Sequence, residues 1–154
     1  MRLVVVASLL LASHAHAQPD RPWHGSVGAG SSLALTGAAG DHFRYDVAID
    51  VMPKSRYGVT LGWRQFDEDH RGLLVGGIVY EGAAARPRLV LDLHADAGVD
   101  LALPAPLVGG GIRATLAVIG PLALVFDFSA YIILDGVDNS RFQLASSTLA
   151  AIKW

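Results

Sequence analysis

A strict two-residue alternation between residues 43 and 51 constrains the fold of this chain more than any other feature. The odd positions are apolar, and they are Phe43, Tyr45, Val47, Ile49 and Val51. The charges fall on even positions, namely Arg44, Asp46 and Asp50. Since successive side chains of a β-strand point to opposite faces, this pattern predicts a strand with one apolar and one charged face. Similar alternation returns in most later segments.

Turn-forming residues divide the rest of the chain at a regular spacing. The predicted strands span roughly 23–36, 42–52, 56–66, 71–81, 88–99, 107–119, 122–134 and 141–154. Each connection between them contains Gly, Pro, Asp or Asn, which favour turns, and the many glycines and β-branched residues disfavour helices. We therefore expect an all-β protein of eight strands, with connections that include residues 82–87 and 100–106. The fourth segment, residues 72–80, is apolar on both parities, so the pattern does not orient it.

The first 17 residues have the features of a cleavable signal peptide. A positive start at Arg2 is followed by an apolar stretch over residues 3–12, and Ala15 and Ala17 occupy the −3 and −1 positions of a cleavage site. The mature chain is thus expected to be one domain, residues 18–154, exported from a Gram-negative bacterium. The 154-residue chain has no cysteine and a net charge of −2, which gives no basic face for nucleic acid.

Two kinds of barrel fit the separation of apolar and charged parities. A soluble lipocalin-like barrel would bind an apolar ligand on an apolar inner face, whereas an outer-membrane barrel would turn that face toward lipid. Water-exposed surfaces are usually rich in Lys and Glu, but the mature chain contains only Lys54, Lys153, Glu68 and Glu81, which favours the membrane barrel. Its interior would then hold a network of ion pairs. The predicted members are Arg44, Asp46, Asp50, Arg64, Asp92, His94, Asp96, Arg113 and Asp127.

The signal sequence, the eight alternating segments and the terminal Trp154 resemble those of the small bacterial outer-membrane β-barrels, the class of the outer membrane protein A transmembrane domain. The resemblance implies an eight-stranded antiparallel up-and-down transmembrane β-barrel, monomeric and surrounded by outer-membrane lipids. It also implies that Ile152 and Trp154 form the C-terminal signal read by the barrel-assembly machinery. Such narrow barrels are filled by side chains, so we expect a structural or envelope-integrity role rather than a passive pore.

Acidic residues collect in the connections that an even strand number places away from both termini. They are Asp41, Asp67, Glu68, Asp69, Asp100, Asp135 and Asp138. One interpretation is a rim that binds divalent cations and bridges them to anionic lipid headgroups. The other is ordinary solvated turns, in which Asp is common for conformational reasons.

No catalytic residue, cofactor or metal site is predicted, although a lipid A-modifying enzyme remains an alternative. The candidate groups for it are scattered and lack a local signature; they are His42, His70, Asp92, His94, Ser129 and Ser140. Asp92, His94 and Asp96 would share one strand face, either as a metal or proton-transfer cluster or as members of lumenal ion pairs, and we favour the pairs. The glycine run 109–111 precedes no Lys-Ser/Thr pair, so we expect it to ease strand bending rather than bind phosphate.

Overall fold

The structure is a computed structural model that describes residues 23–35, 44–53, 56–65, 72–86, 88–101, 104–135 and 140–154. The predicted signal peptide, residues 1–17, lies outside the described residues, as do Asp41, His42, Phe43, residues 66–71 and Asp138. In the described part of the chain, no helix is both long and apolar enough to cross a membrane.

Within these ranges the chain forms eight strands. They are β1 (His24–Ala34), β2 (Arg44–Met52), β3 (Tyr57–Gln65), β4 (Gly72–Arg86), β5 (Leu89–Asp100), β6 (Ala105–Ile119), β7 (Leu122–Leu134) and β8 (Ser140–Lys153). Each strand pairs antiparallel with the next along the chain, and β1 pairs antiparallel with β8, so the sheet closes into a barrel. The predicted all-β, up-and-down architecture is confirmed.

Backbone hydrogen bonds continue to the last residue at the seam between β1 and β8. Gly25 N donates to Trp154 O at 3.2 Å, and Trp154 N donates to Gly25 O at 3.1 Å. At the same end, which we call the terminal end, β6 and β7 are joined by Gly120 and Pro121. Gly120 has φ 54°, a left-handed conformation that favours glycine in so tight a turn. We call the opposite end the loop end.

The predicted connection over residues 82–87 is wrong. Strand β4 continues to Arg86, because register shifts between Glu81 and Ala84 and between Ala84 and Arg86 let the backbone pair with β5 beyond the expected turn. The expected connection over residues 100–106 is also shorter, since β5 includes Asp100 and β6 begins at Ala105.

Side chains at alternate strand positions lie on opposite sides of the sheet: one set forms the outer wall of the barrel, and the other fills its interior. Large apolar side chains of the wall are 36% to 71% exposed, and among strand residues whose side chains are described the outward positions carry no charge. The structure also orients β4: Leu73 and Val75 point inward and are at most 4% exposed, whereas Leu74 and Ile78 point outward and are 40% and 60% exposed. A lipocalin-like arrangement, with the apolar parity inside, therefore disagrees with the structure.

Candidate functional site

The candidate site is the barrel interior, where strand register aligns polar side chains in rows. Glu81, Asp92, Arg113, Asp127 and Ser147 are successive cross-strand neighbours from β4 to β8. The inward parity of each strand places these side chains in one lumen too narrow for bulk water. Charged groups in such a space need protein partners in place of solvent.

The carboxylate of Asp127 on β7 is the centre of these contacts. Arg64 Nη2 donates to Oδ1 at 2.8 Å, and Arg113 Nε donates to Oδ2 at 3.3 Å. His94 Nε2 lies 3.0 Å from Oδ2, and the Ser129 hydroxyl donates to Oδ1. Since Asp127 is only 2% exposed, these four side chains supply the hydrogen bonds that an ionised carboxylate otherwise takes from water.

Each of the two buried guanidinium groups bridges two carboxylates. Arg64 Nε lies 3.1 Å from Asp46 Oδ2, in addition to its contact with the central carboxylate. Arg113 Nη1 donates to Asp50 Oδ1 at 2.7 Å. Ser147 Oγ donates to Asp46 at 2.6 Å, so β8 joins the same set of contacts. The planar fork of arginine suits this bridging, which connects strands that are not neighbours in the barrel.

His94 reaches across an intervening strand because glycine faces it there. His94 on β5, Gly111 on β6 and Ser129 on β7 lie in register, and a Cβ at Gly111 would come 2.7 Å from His94 Nε2. Tyr131 likewise passes over Gly109, where a Cβ would collide with the edge of the tyrosine ring. The inward glycines 109 and 111 therefore make room for two large side chains and for close approach of the β7 backbone, while the strand bending expected from the sequence stays a prediction.

The hydrogen bonds of His94 extend to Asp96 and Tyr131. His94 Nδ1 lies 2.7 Å from Asp96 Oδ2, and the Tyr131 hydroxyl donates to the same oxygen at 3.2 Å. The Tyr131 ring also lies beneath the guanidinium of Arg64, with Cζ 5.4 Å from the ring centroid. Ser26 Oγ also donates to Asp50 Oδ2 at 2.9 Å. We call the eleven connected side chains the lumenal network. They are Ser26, Asp46, Asp50, Arg64, His94, Asp96, Arg113, Asp127, Ser129, Tyr131 and Ser147.

Two predicted members of the interior set stand apart from this network. Asp92 is next to Arg113 in the strand register, but it lies 3.5 Å from Thr115 Oγ1, at the limit of a hydrogen bond. The side chain of Arg44 lies outside the described part of the chain. Among the described residues, no three His, Asp or Glu side chains converge so as to hold a metal ion.

Ser129, His94 and Asp96 have the connectivity of a serine-hydrolase triad. Ser129 Oγ lies 3.5 Å from His94 Nε2, while Nδ1 faces Asp96. However, Asp127 accepts from the Ser129 hydroxyl and contacts the same ring nitrogen, so that nitrogen is occupied. Ser129 is 0% exposed and His94 is 6% exposed. A nucleophile needs both a free base and access to substrate, and this serine has neither in the described structure.

The side chains that line the lumen differ between the two ends of the barrel. At the terminal end, His24 Nε2 lies 2.8 Å from Glu81 Oε2 beside a pocket of about 40 Å³, room for about three waters. Above the lumenal network, toward the loop end, buried apolar side chains pack together. They are Leu73, Val75, Ala105, Leu107, Tyr131, Ile133 and Ala145. The pocket reaches Asp50 and Arg113 from the terminal end, beside a second buried apolar cluster of Ala48, Val125, Leu149 and Ala151, and apolar packing covers the network toward the loop end.

At the loop end, the structure describes two of the seven acidic residues of the predicted rim. Asp100 is 6% exposed and lies 3.3 Å from Arg141 Nη2, whereas Asp135 lies 3.9 Å from Arg141 Nε at a more exposed position. Both carboxylates therefore face an arginine. The other five lie outside the described residues, and cation binding by the rim stays a prediction.

Aromatic side chains flank the apolar wall at the terminal end. Trp23 and Trp154 are 62% and 56% exposed, and the rings of Tyr57 and Tyr80 pack 5.0 Å apart. Ile152, the other residue of the predicted C-terminal signal, points outward at 52% exposure. Amphipathic aromatic rings in this position are typical of membrane interfaces.

Solved structures share this arrangement of strands. A de novo designed transmembrane β-barrel matches with a TM-score of 0.58 at 17% identity, over 88% of this chain and 98% of its own. A major outer membrane protein from Thermus thermophilus matches with a TM-score of 0.56 at 13% identity, over 87% and 100%. Neisserial surface protein A matches with a TM-score of 0.50 at 10% identity, over 85% and 95%. This chain has the fold of a transmembrane β-barrel.

The comparisons confirm the predicted architectural resemblance to small outer-membrane barrels. No protein-family profile matches the sequence of this transmembrane barrel. No curated protein matches it either.

Four hydroxyl-bearing members of the lumenal network are absent from the ion-pair network that the sequence predicts. Ser129 enters the sequence analysis only as a catalytic candidate, and Ser147 is the cross-strand neighbour of Asp127 on β8. Tyr131 follows Ser129 at a two-residue step, and Ser26 donates to Asp50 from β1. The alternation that places Asp127 in the interior of the transmembrane barrel also places Ser129 and Tyr131 there, so a prediction that paired hydroxyl groups as well as charges would have included them.

Proposed function

We propose that this protein is an integral protein of the bacterial outer membrane with a structural, envelope-integrity role and no catalytic activity. The observation that carries the proposal is the separation of the wall from the interior. Apolar side chains cover the outward face, and the described ionised strand side chains lie on the inward parity. A wall of this kind is stable against hydrocarbon and unfavourable in water.

The filled lumen supports a structural role rather than transport. Arg64, Arg113 and Asp127 bridge the interior, and Leu73 and Leu107, each 1% exposed, pack above them. Solute passage would require both layers to separate. Open outer-membrane channels are built from about sixteen strands, whose interiors are far wider. We therefore expect a closed barrel that contributes its wall and its rims to the membrane.

The absence of catalysis is proposed from the position of the candidate groups. Ser129 and His94 lie inside the barrel, where a lipid in the surrounding membrane cannot reach them. Ser140, at the loop end of β8, is exposed, but His42 and His70 lie outside the described residues. Mass spectrometry of lipid A from cells with and without the expressed protein tests this point, and a new lipid A species would contradict it.

Membrane fractionation tests the location. The full chain, residues 1–154, is expressed in a Gram-negative host, and the membranes are separated by density. We expect the protein in the outer-membrane fraction, resistant to carbonate washing and extracted only by detergent, because its wall is apolar. Release by osmotic shock would refute the proposal. In planar bilayers the purified barrel should show no steady conductance, with a known porin as the positive control.

The proposed assembly signal has a matched control at the same end of the barrel. Trp154 and Trp23 are similarly exposed aromatic residues, but only Trp154 directly follows the last strand. If the assembly machinery reads the C-terminal strand, W154A should lower the amount of assembled barrel and W23A should not. Equal losses would assign both residues to membrane anchoring instead.

A further inference from the structure

We propose that the lumen contains a proton-binding site in which His94 is held as a doubly protonated imidazolium between Asp96 and Asp127. His94 Nδ1 lies 2.7 Å from Asp96 Oδ2, and Nε2 lies 3.0 Å from Asp127 Oδ2. Both side-chain nitrogens of the ring therefore face carboxylate oxygens. The ring is almost entirely removed from solvent, since the side chain is 1% exposed.

Hydrogen-bond chemistry requires a proton on each ring nitrogen in this position. An ionised carboxylate only accepts hydrogen bonds, and a neutral imidazole carries one accepting and one donating nitrogen. In the neutral form, one nitrogen lone pair would point at a carboxylate oxygen within 3.0 Å. That contact would be repulsive and, in a dry interior, poorly screened. The imidazolium satisfies both contacts at once.

Asp127 cannot supply the missing proton itself. Arg64 and Arg113 donate to it through their guanidinium groups, and Ser129 donates through its hydroxyl. These two positive charges beside the carboxylate stabilise its ionised form over its protonated form. The proton between Asp127 and His94 therefore belongs to Nε2.

Asp96 favours the same assignment on the other side of the ring. Its Oδ2 already accepts the Tyr131 hydroxyl at 3.2 Å, so this oxygen acts as an acceptor for two donors. A Cβ at Gly77, directly opposite on β4, would come 2.5 Å from Asp96 Oδ1, so glycine leaves room for this carboxylate. The shared proton on this side belongs to Nδ1 of His94.

The charges around the ring also favour the extra proton. The network holds four carboxylates, Asp46 and Asp50 on β2, Asp96 on β5 and Asp127 on β7, against two guanidinium groups, Arg64 on β3 and Arg113 on β6. From β4 the uncharged Val79 is in register with His94, and from β7 Tyr131 and Ser129 contribute hydroxyl groups. Asp92 lies two residues away on β5. An imidazolium reduces the excess of negative charge in the network, and that excess returns when hydroxide removes the proton.

Nitrogen NMR of the folded protein tests the assignment directly. The ¹⁵N-labelled full chain is folded in detergent micelles, and its ring nitrogens are observed through long-range proton correlations, with H94Q identifying the His94 signals. We expect both His94 nitrogens to show the shifts of protonated nitrogens at pH 8, where an ordinary histidine is almost entirely neutral. One unprotonated ring nitrogen at pH 8 would overturn the proposal.

Two substitutions distinguish the effect of the two carboxylates on His94 protonation from a general effect of burial. D96N removes the second carboxylate, so His94 should become neutral at pH 8, whereas D135N at the loop end should leave it doubly protonated. A doubly protonated His94 in D96N would refute the proposal that two carboxylates are needed to hold the imidazolium. If D96N does not fold, the spectrum of the unaltered protein decides alone. The outcome is independent of membrane location, which fractionation tests separately.

Discussion

Removal of the Asp127 carboxylate should be among the most destabilising single changes in the described interior. Asp127 accepts from two guanidinium groups, contacts His94 and accepts from Ser129, at 2% exposure. Breaking a buried pair by deleting one partner costs about 3–5 kcal/mol, because the remaining charge stays buried. Arg64 and Arg113 each retain a second carboxylate, so we expect the lower end for D127A, about 3 kcal/mol, or roughly two orders of magnitude in the unfolding constant.

Asp135 provides the matched control for this change. Its ion pair with Arg141 is longer, at 3.9 Å, and the two side chains are 43% and 41% exposed. Exposed pairs contribute about 0–1 kcal/mol, so D135A should be nearly neutral. D127N separates charge from volume: its amide group would face donors, and we expect it to lose about as much stability as D127A.

Reversible urea unfolding in lipid vesicles, followed by tryptophan fluorescence and circular dichroism, measures these differences. The denaturant dependence should be unchanged if the variants unfold from the same closed barrel. Equal midpoints for D127A and D135A would refute a stabilising role of the network. A stable D127N beside an unstable D127A would show that the cost is a cavity rather than lost hydrogen bonds.

Two further pairs of substitutions test the interior and the wall. G111A should sharply lower the yield of folded barrel, because the new methyl would collide with the backbone carbonyl of Phe128 and come 2.7 Å from His94 Nε2. G76A should be tolerated, since the nearest neighbour of its methyl would be 3.7 Å away. The measurement is the heat-dependent gel mobility of refolded protein. I112R places an arginine at an outward position in the middle of β6 and should destabilise the barrel in vesicles by about 2–4 kcal/mol. I119R, beside the turn at the terminal end, should destabilise it by about 0–1 kcal/mol. Equal effects of the two arginines would contradict a membrane-spanning wall.

The strand pattern predicts most of the fold because alternation and turn residues are local properties. It fails for β4, where Leu73 and Val75 point inward and Leu74 and Ile78 point outward. The rule that inward residues are polar does not hold there, because this part of the lumen is filled by an apolar cluster that includes Leu107. The sequence also does not predict that β4 continues to Arg86. Residues whose composition favours a turn remain in the strand there, because shifts of register keep them paired with β5.

The alternation assigns the charged residues to one parity of each strand but does not give their partners. Asp92 and Arg113 are neighbours in the register, yet Arg113 contacts Asp50 and Asp127 instead. Contacts across the lumen depend on the diameter and stagger of the closed barrel, which follow from all strand pairings together. The central position of Asp127 therefore becomes visible only in three dimensions.

The lumenal contacts also have a consequence for the order of folding. Arg64 and Asp127 are 63 residues apart in the sequence, and Asp46 and Ser147 are 101 apart. Contacts of this range form only after the first and second halves of the chain meet, since the long loops they close carry an entropic cost. We therefore expect the network to form late in closure, so that its loss speeds unfolding much more than it slows insertion. Buried charges in this barrel thus determine how long the closed state persists.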